Sequence, residues 1–266
     1  MSALSARPSP FAVVPALLLV AISLWEVCAA RRDASAVPGD AAWRAAAERV
    51  RAGYRRGDLI VFAPAWIDPV GRMHLGDLIS IEAAARMDAA RYARIWELAI
   101  RGARSPDTAG LEPAEAEEHD GVVVRRYERA PAIVVGDVLE RLPDATTDGA
   151  GPALELTEVG FAPHRCLQVS PVPGTPLRLR FPAFPLGNEL VGYVGIADVF
   201  TRRDVRSPGQ LDVELAGQII ASAVAGVDDG WVRFAAATQP GAADVTFIAR
   251  ATDPNRRICF AAEARR

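Results

Sequence analysis

The 266-residue chain predicts an α+β fold made of an N-terminal membrane segment, a small α/β unit and a C-terminal antiparallel β-sandwich of jelly-roll type. Three observations carry that expectation. Pro8 to Trp25 runs without a charge. Residues 40–102 read as helix, strand, loop, helix, strand. From Leu154 onward, short apolar-rich runs such as LELTEVGF, LRLRFPAF, ELVGYVGIADVF and DVTFIARAT are separated by Pro, Gly and Asp. That is the spacing of antiparallel strands joined by turns, not of βα units. The expected divisions are a signal peptide or membrane anchor over residues 1–36, the α/β unit with joining strands over 37–142, a linker over 143–152 and the sandwich over 153–266.

Composition narrows the function classes. Half of the residues are apolar, enough for a substantial core. A formal net charge of −3 offers no basic field for nucleic acid, so no nucleic-acid partner is expected. Every basic residue is Arg, which removes a Schiff-base lysine, a Walker-A lysine and a Ser-Lys dyad. Three cysteines are too few for a zinc ribbon or a dense disulfide scaffold. No cofactor and no metal site are expected.

The N-terminal run FAVVPALLLVAISLW is close to the length that spans a bilayer. It reads as a cleaved signal peptide, with Ala34-Ser35-Ala36 as the cleavage candidate, or as a single anchor. The membrane is thus the first expected partner, through residues 8–25. Arg31 and Arg32 outnumber Arg7 and by the positive-inside tendency would hold the body in the cytoplasm, while a long body can cross regardless. The expected location is an extracytoplasmic, periplasmic body anchored to the inner membrane, or a secreted protein if the segment is removed.

In the α/β unit, Asp40 is placed to cap a helix with Trp43, Ala47, Val50 and Tyr54 on one side and Arg44, Glu48, Arg51 and Arg55 on the other. Gly57 ends it, and Leu59 to Ala63 follows as a buried strand. The next stretch, PAWIDPVGRMHLGD, is expected to be a loop and carries the densest chemistry in the chain: Trp66, Asp68, Arg72, His74 and Asp77. It leaves the carboxyl end of a strand, where α/β sheets place ligands. Trp66 and Arg72 are therefore candidate ligand contacts, and Asp68, His74 and Asp77 are catalytic candidates on an enzymatic reading. A single His between Met73 and Leu75 is more often a packed or capping side chain than a base or metal ligand. A second helix is expected over 78–87, then a strand alternating Ile95, Glu97, Ala99 with Trp96, Leu98, Ile100.

The order of a helix, RGDLIVFAP and YARIWELAIRG resembles the extracytoplasmic soluble stretch of bacterial protein O-mannosyltransferase-type membrane glycosyltransferases, over about residues 40–102. Those transferases carry many membrane spans and an acidic catalytic residue in an early loop. The resemblance implies an accessory or detached soluble portion, with a multi-span glycosyltransferase as partner. It supplies no catalytic residue.

SPDTAGLEPAEAEEHD reads as an exposed loop, with Glu115, Glu117, Glu118, His119 and Asp120 a solvated charge run and not a metal cluster. GVVVRRYERAPAIVV gives one or two strands interrupted near Pro131. About eight strands follow in the sandwich, and with DDGWVRF and DVTFIAR the stretch is similar to jelly-roll carbohydrate-binding modules. The resemblance implies a glycan partner. Trp231 and Arg233 share the face opposite Val232 and Phe234, so they are candidate ligand contacts, with a ring to stack on a pyranose; packing of Trp231 on a neighbouring loop is the other reading. Tyr193 is expected in the core, and Asp198, Arg202, Arg203 and Asp204 in a solvated turn.

Cys166 lies opposite Leu167 and Val169, and Cys259 opposite Ile258 and Phe260. If their strands adjoin, the two form a cross-strand disulfide on the outer surface, which persists only in an oxidising compartment. The expectation is an exported, membrane-tethered, non-enzymatic envelope protein with a glycan-binding sandwich, accessory to a membrane glycosyltransferase. The alternatives are a hydrolase or glycosyl-transfer enzyme using residues 64–77, and a purely structural partner of a multi-span membrane protein.

Overall fold

The computed structural model describes residues 10–35, 37–197 and 206–266. Arg7, Ala36, Asp198, Arg202, Arg203 and Asp204 lie outside them. The chain divides into two compact units interleaved in sequence. The first takes residues 1–54, 61–74 and 96–126, and the second takes 55–60, 75–95 and 127–266.

The first helix, α1 (Pro10–Ser35), is long and apolar enough to cross a membrane, with its span over Val14–Arg32. Every side chain from Val14 to Arg32 is exposed. Helix α2 (Asp40–Gly53) buries Trp43, Ala46, Ala47 and Val50 on one stripe, the period of an amphipathic helix. Gly39 occupies the N-cap, so Asp40 is the first helical residue and pairs with Arg44 at 2.9 Å instead of capping. The helix ends at Gly53, before Gly57.

The expected loop over 64–77 is mostly helical. A 3-10 turn (Ala65–Ile67) leads into α3 (Asp68–Leu75). Pro69 sits in the first turn, where no backbone N–H partner is lost. Gly71 is a packing glycine and not a loop signal, because a Cβ there would overlap the Phe62 ring. Of the second expected helix only α4 (Ile81–Ala84) forms, capped by the Ser80 hydroxyl accepting from the Ala83 N–H at 3.2 Å.

Strands β1 (Leu59–Ala63), β2 (Arg94–Ile100), β3 (Glu115–His119) and β4 (Val122–Glu128) make a four-stranded sheet in the order β1-β2-β4-β3. β3 falls in the acidic stretch expected to be a loop. It pairs antiparallel with β4, setting Glu115 opposite Arg126, and Arg49 of α2 binds both Glu115 and Glu117. Opposite charges across the pair offset the poor strand propensity of glutamate. Glu97 of β2 is fully buried. Its carboxylate accepts from Arg125 Nη1 at 2.8 Å, from the Ser105 N–H at 2.7 Å and from the Thr108 hydroxyl, which satisfies the charge.

The second unit is an antiparallel β-sandwich. Its strands are β5 (Val134–Asp137), β6 (Thr146–Thr147), β7 (Ala153–Val159), β8 (Ala162–Val169), β9 (Leu177–Leu186), β10 (Glu189–Ile196), β11 (Gly209–Leu215), β12 (Gln218–Ala225), β13 (Val232–Ala237), β14 (Gly241–Arg250) and β15 (Ile258–Arg265). One sheet runs β13-β10-β15-β8-β7, with β5 also pairing β15, and the other runs β12-β11-β14-β9-β6. Period-2 alternation fills the space between them. Leu179, Phe181, Val213 and Phe247 come from one sheet and Leu167, Val194, Ile258 and Phe260 from the other, with the Phe247 and Phe260 rings stacked at 5.1 Å.

The expected linker over 143–152 contains β6, where Thr146 pairs with Arg180, and β5 pairs with the end of β15. Strands on both sides of residue 143 thus pair with the sandwich strands. A polar edge strand and a turn-rich linker share a composition, which is why the two look alike in sequence.

The sulfurs of Cys166 and Cys259 are joined, with Cα atoms 5.6 Å apart on the adjoining strands β8 and β15. Both cysteines face away from the sandwich core but are fully buried among Val159, Ala197 and Trp231, not on an outer surface.

Candidate functional site

On the outer face of the five-stranded sheet lies an open groove of about 540 Å³. Alternation puts it there. In LRLRF the residues Leu177, Leu179 and Phe181 enter the core, so Arg178 and Arg180 point outward; in DVTF Val245 and Phe247 enter, so Asp244 and Thr246 point outward. Strand register aligns Glu214, Thr246, Arg180 and Thr146 in a row straight across β11, β14, β9 and β6.

The row is pre-oriented by ion pairs. Arg180 pairs with Asp244, whose other oxygen accepts from the Ala183 N–H at 2.9 Å. Arg178 Nη1 lies 3.3 Å from Glu214 Oε2, and the Arg178 N–H donates to Asp148 at 2.8 Å. The Arg180 hydrogen bond, then the Ala183 N–H, hold the Asp244 carboxyl below the usual carboxylate range. Asp244 thus stays an acceptor and Arg180 a donor across the physiological range. The surface alternates planar guanidinium donors, carboxylate acceptors and hydroxyls, which suits a ligand rich in adjacent hydroxyl groups. None of these residues stood out in the sequence, because an outward Arg or Asp on a strand reads as solvated surface. The legible signal was the pair of Arg residues two apart in LRLRF.

Part of the outer face of the six-stranded sheet is covered, while Leu154, Arg165 and Arg233 stay exposed. The irregular segment from Ala85 to Tyr92 lies across it, held by donors to its carbonyls: the Arg165 N–H to Ala85 at 3.0 Å, His164 Nδ1–H to Arg86 at 3.2 Å, Trp231 Nε1–H to Met87 at 3.1 Å and Arg129 Nε–H to Tyr92 at 3.1 Å. Satisfied carbonyls are what allow such a segment to order without regular structure. The Trp231 ring stacks near-parallel with His164 at 4.4 Å and with Tyr193 at 5.9 Å. Trp231 is partly buried, and its N–H is engaged by the Met87 carbonyl. Tyr193, expected in the core, is half-buried on this outer face; burial and the neighbouring Asp88 raise its pKa. Arg233 lies opposite Tyr193 on β13, exposed.

Burial pushes the His164 pKa from 6.5 down to about 4, against the hydrogen bond to Arg86 O, which raises it. The folded state therefore holds this imidazole neutral while the unfolded chain protonates it near 6.5. Between those values the unfolded state binds more protons, so stability is full above pH 6.5 and is lost as pH falls through about 4, by about 3 kcal/mol. A His164→Phe variant, which keeps a ring against Trp231, is expected to show a flatter fall of urea midpoint from pH 7 to pH 4. An unchanged fall would contradict this.

The chemistry of residues 64–77 does not converge. Asp68, at the start of α3, accepts from Arg72 one turn on. His74 stacks on Trp43 at 6.3 Å, its Nε2 is 3.5 Å from Asp40, and its carbonyl accepts from Arg51 at 2.6 Å. Six helical residues separate Asp68 from His74, a rise of about 9 Å and a rotation of about 240°, so the two do not form an acid-base pair. Asp77 follows in a 3-10 turn, Gly76–Leu78. Trp66 is exposed. Among the described residues no group of three or more His, Cys, Asp or Glu is placed to hold a metal ion.

No family model and no curated protein matches the chain. Among solved structures it is similar to CBM51-2 with INT domains from Clostridium perfringens ZmpB, at TM-score 0.31 and 12% identity over 46% of this chain and 28% of that one. The tandem CBM51 modules of a family 98 glycoside hydrolase from Streptococcus pneumoniae give 0.33 and 10% over 57% of each. CBM51 from a Clostridium perfringens GH95, in complex with methyl-galactose, gives 0.31 and 9% over 59% of this chain and 97% of that one. The chain spans less than two thirds of the length of the first two. At TM-scores below 0.5 these superpositions say nothing of a ligand for this chain. The resemblance of residues 40–102 to protein O-mannosyltransferase-type enzymes has no support among the matches. The chain is an α+β protein with an N-terminal apolar helix and an antiparallel β-sandwich.

Proposed function

We propose that the chain is an exported, non-enzymatic envelope protein, held to a membrane by α1, whose β-sandwich binds a glycan in the groove of the five-stranded sheet. The observation that carries the reading is the row Glu214, Thr246, Arg180, Thr146, flanked by Asp244 and Arg178. A sugar's vicinal hydroxyls donate to a carboxylate and accept from a guanidinium, and a rigid strand face presents both at fixed spacing. Export is supported by the buried Cys166–Cys259 bridge, since structural disulfides persist in oxidising compartments. The Val14–Arg32 span supports tethering.

A glycan array probed with the full chain in detergent tests the site. Binding to a defined set of glycans is expected, weakened about tenfold or more by Arg180→Ala combined with Asp244→Asn, the range for losing charged hydrogen bonds. A chain that binds no glycan, or whose binding ignores both substitutions, would overturn the reading.

A further inference from the structure

Around α3 the fold leaves three large apolar side chains in water. Trp66 is 61% exposed, Val70 37% and Met73 82%, while Ile67 and Leu75 of the same segment are buried. Val70 and Met73, three residues apart, share one side of α3, and Trp66 stands in the 3-10 turn that leads into it. These exposed side chains call for an apolar neighbour, and their position in the chain says which.

The membrane-length span Val14–Arg32 covers 19 residues, about 28 Å of helix, close to the thickness of a bilayer core. α1 ends at Ser35 and α2 starts at Asp40, so only residues 36–39 intervene, a reach of at most about 18 Å. The start of α2 therefore lies within about 23 Å of the end of the span. His74 touches that start, with Nε2 3.5 Å from Asp40 and its ring stacked on Trp43. The last turn of α3, Met73 included, is thereby tied to the part of the chain that follows the span most closely.

Resting on the anchor reading of α1, we propose that Trp66, Val70 and Met73 insert into the headgroup boundary of the bilayer beside the anchor, giving the body a second lipid contact that fixes its orientation on the membrane. Trp is suited to that boundary because its ring is apolar and its N–H can stay with the headgroups.

The test uses the full chain with Cys28→Ser and Met73→Cys, labelled with an environment-sensitive fluorophore and reconstituted in phosphatidylcholine vesicles that contain lipids with a headgroup-level quencher. A Glu48→Cys label on the exposed side of α2 is the control. The Met73 probe is expected to shift to shorter wavelength and lose most of its emission to the quencher, with the Glu48 probe little changed. A Met73 probe that reports water in a chain that floats with the vesicles overturns this inference and leaves the anchor standing. A chain that does not float overturns both. Shielding that persists in detergent and grows with protein concentration marks a second copy as the neighbour and overturns the lipid contact.

Discussion

Arg265→Met is expected to lower unfolding stability by about 3–5 kcal/mol, the cost of removing one partner from a buried charge network. Arg265 is 4% exposed and Glu263 3%. Arg265 Nε donates to Glu263 at 2.8 Å and its Nη2 to Asp88 at 2.9 Å, while Arg91 Nε reaches the other Glu263 oxygen at 2.7 Å and its Nη2 reaches Asp137. Burial raises the Glu263 pKa, with Arg265 and Arg91 pulling it back. Met keeps the volume of the Arg stem but leaves Glu263 with one cation and Asp88 with none from this position. Urea unfolding at pH 7 measures the loss. Adding Glu263→Gln to Arg265→Met is expected to recover part of it, since the uncompensated charge is then gone. A loss below about 1 kcal/mol, the range of ordinary surface substitutions, would show that the network carries little of the fold.

Replacing both Cys166 and Cys259 by Ala is expected to cost about 4 kcal/mol, because the bridge closes a loop with a sequence separation of 93 and constrains the unfolded chain accordingly. The pair is also packed against Trp231, Val159 and Ala197, so its loss loosens the support of the covering segment. Denaturant midpoints of the double variant, and of the native chain with and without reductant, check this. Equal midpoints in all three would mean that the thiols are not joined in the protein, and would remove the main support for an oxidising compartment.

Strong periodicity was legible and weak periodicity was not. α2, β1 and β2 follow from apolar spacing alone, and so do most sandwich strands, because one face of each had to be buried. α3 was hidden by Pro69 and Gly71, which signal a loop in isolation and serve the first helical turn and the Phe62 contact in the fold. β3 was hidden by its charge, since its partners Arg126 and Arg49 are 11 and more residues away from Glu115. β6 was hidden by polar composition on an edge.

The candidate site shows the same division. Alternation correctly set Trp231 and the two cysteines on the face opposite the core, but the covering segment from Ala85 to Tyr92 has no periodicity, so nothing in the sequence said that this face is occupied. The groove residues were individually unremarkable. Only strand register brings Glu214, Thr246, Arg180 and Thr146, drawn from four strands, into one row.

Hydrogen–deuterium exchange of the full chain, with and without the glycan that binds best on the array, locates the bound sugar. Added protection is expected only in the β9 segment around residues 178–180 and the β14 segment around residues 244–246. Protection at the covering segment and Trp231, or at residues 66–77, or nowhere in the five-stranded sheet, would contradict the proposed site.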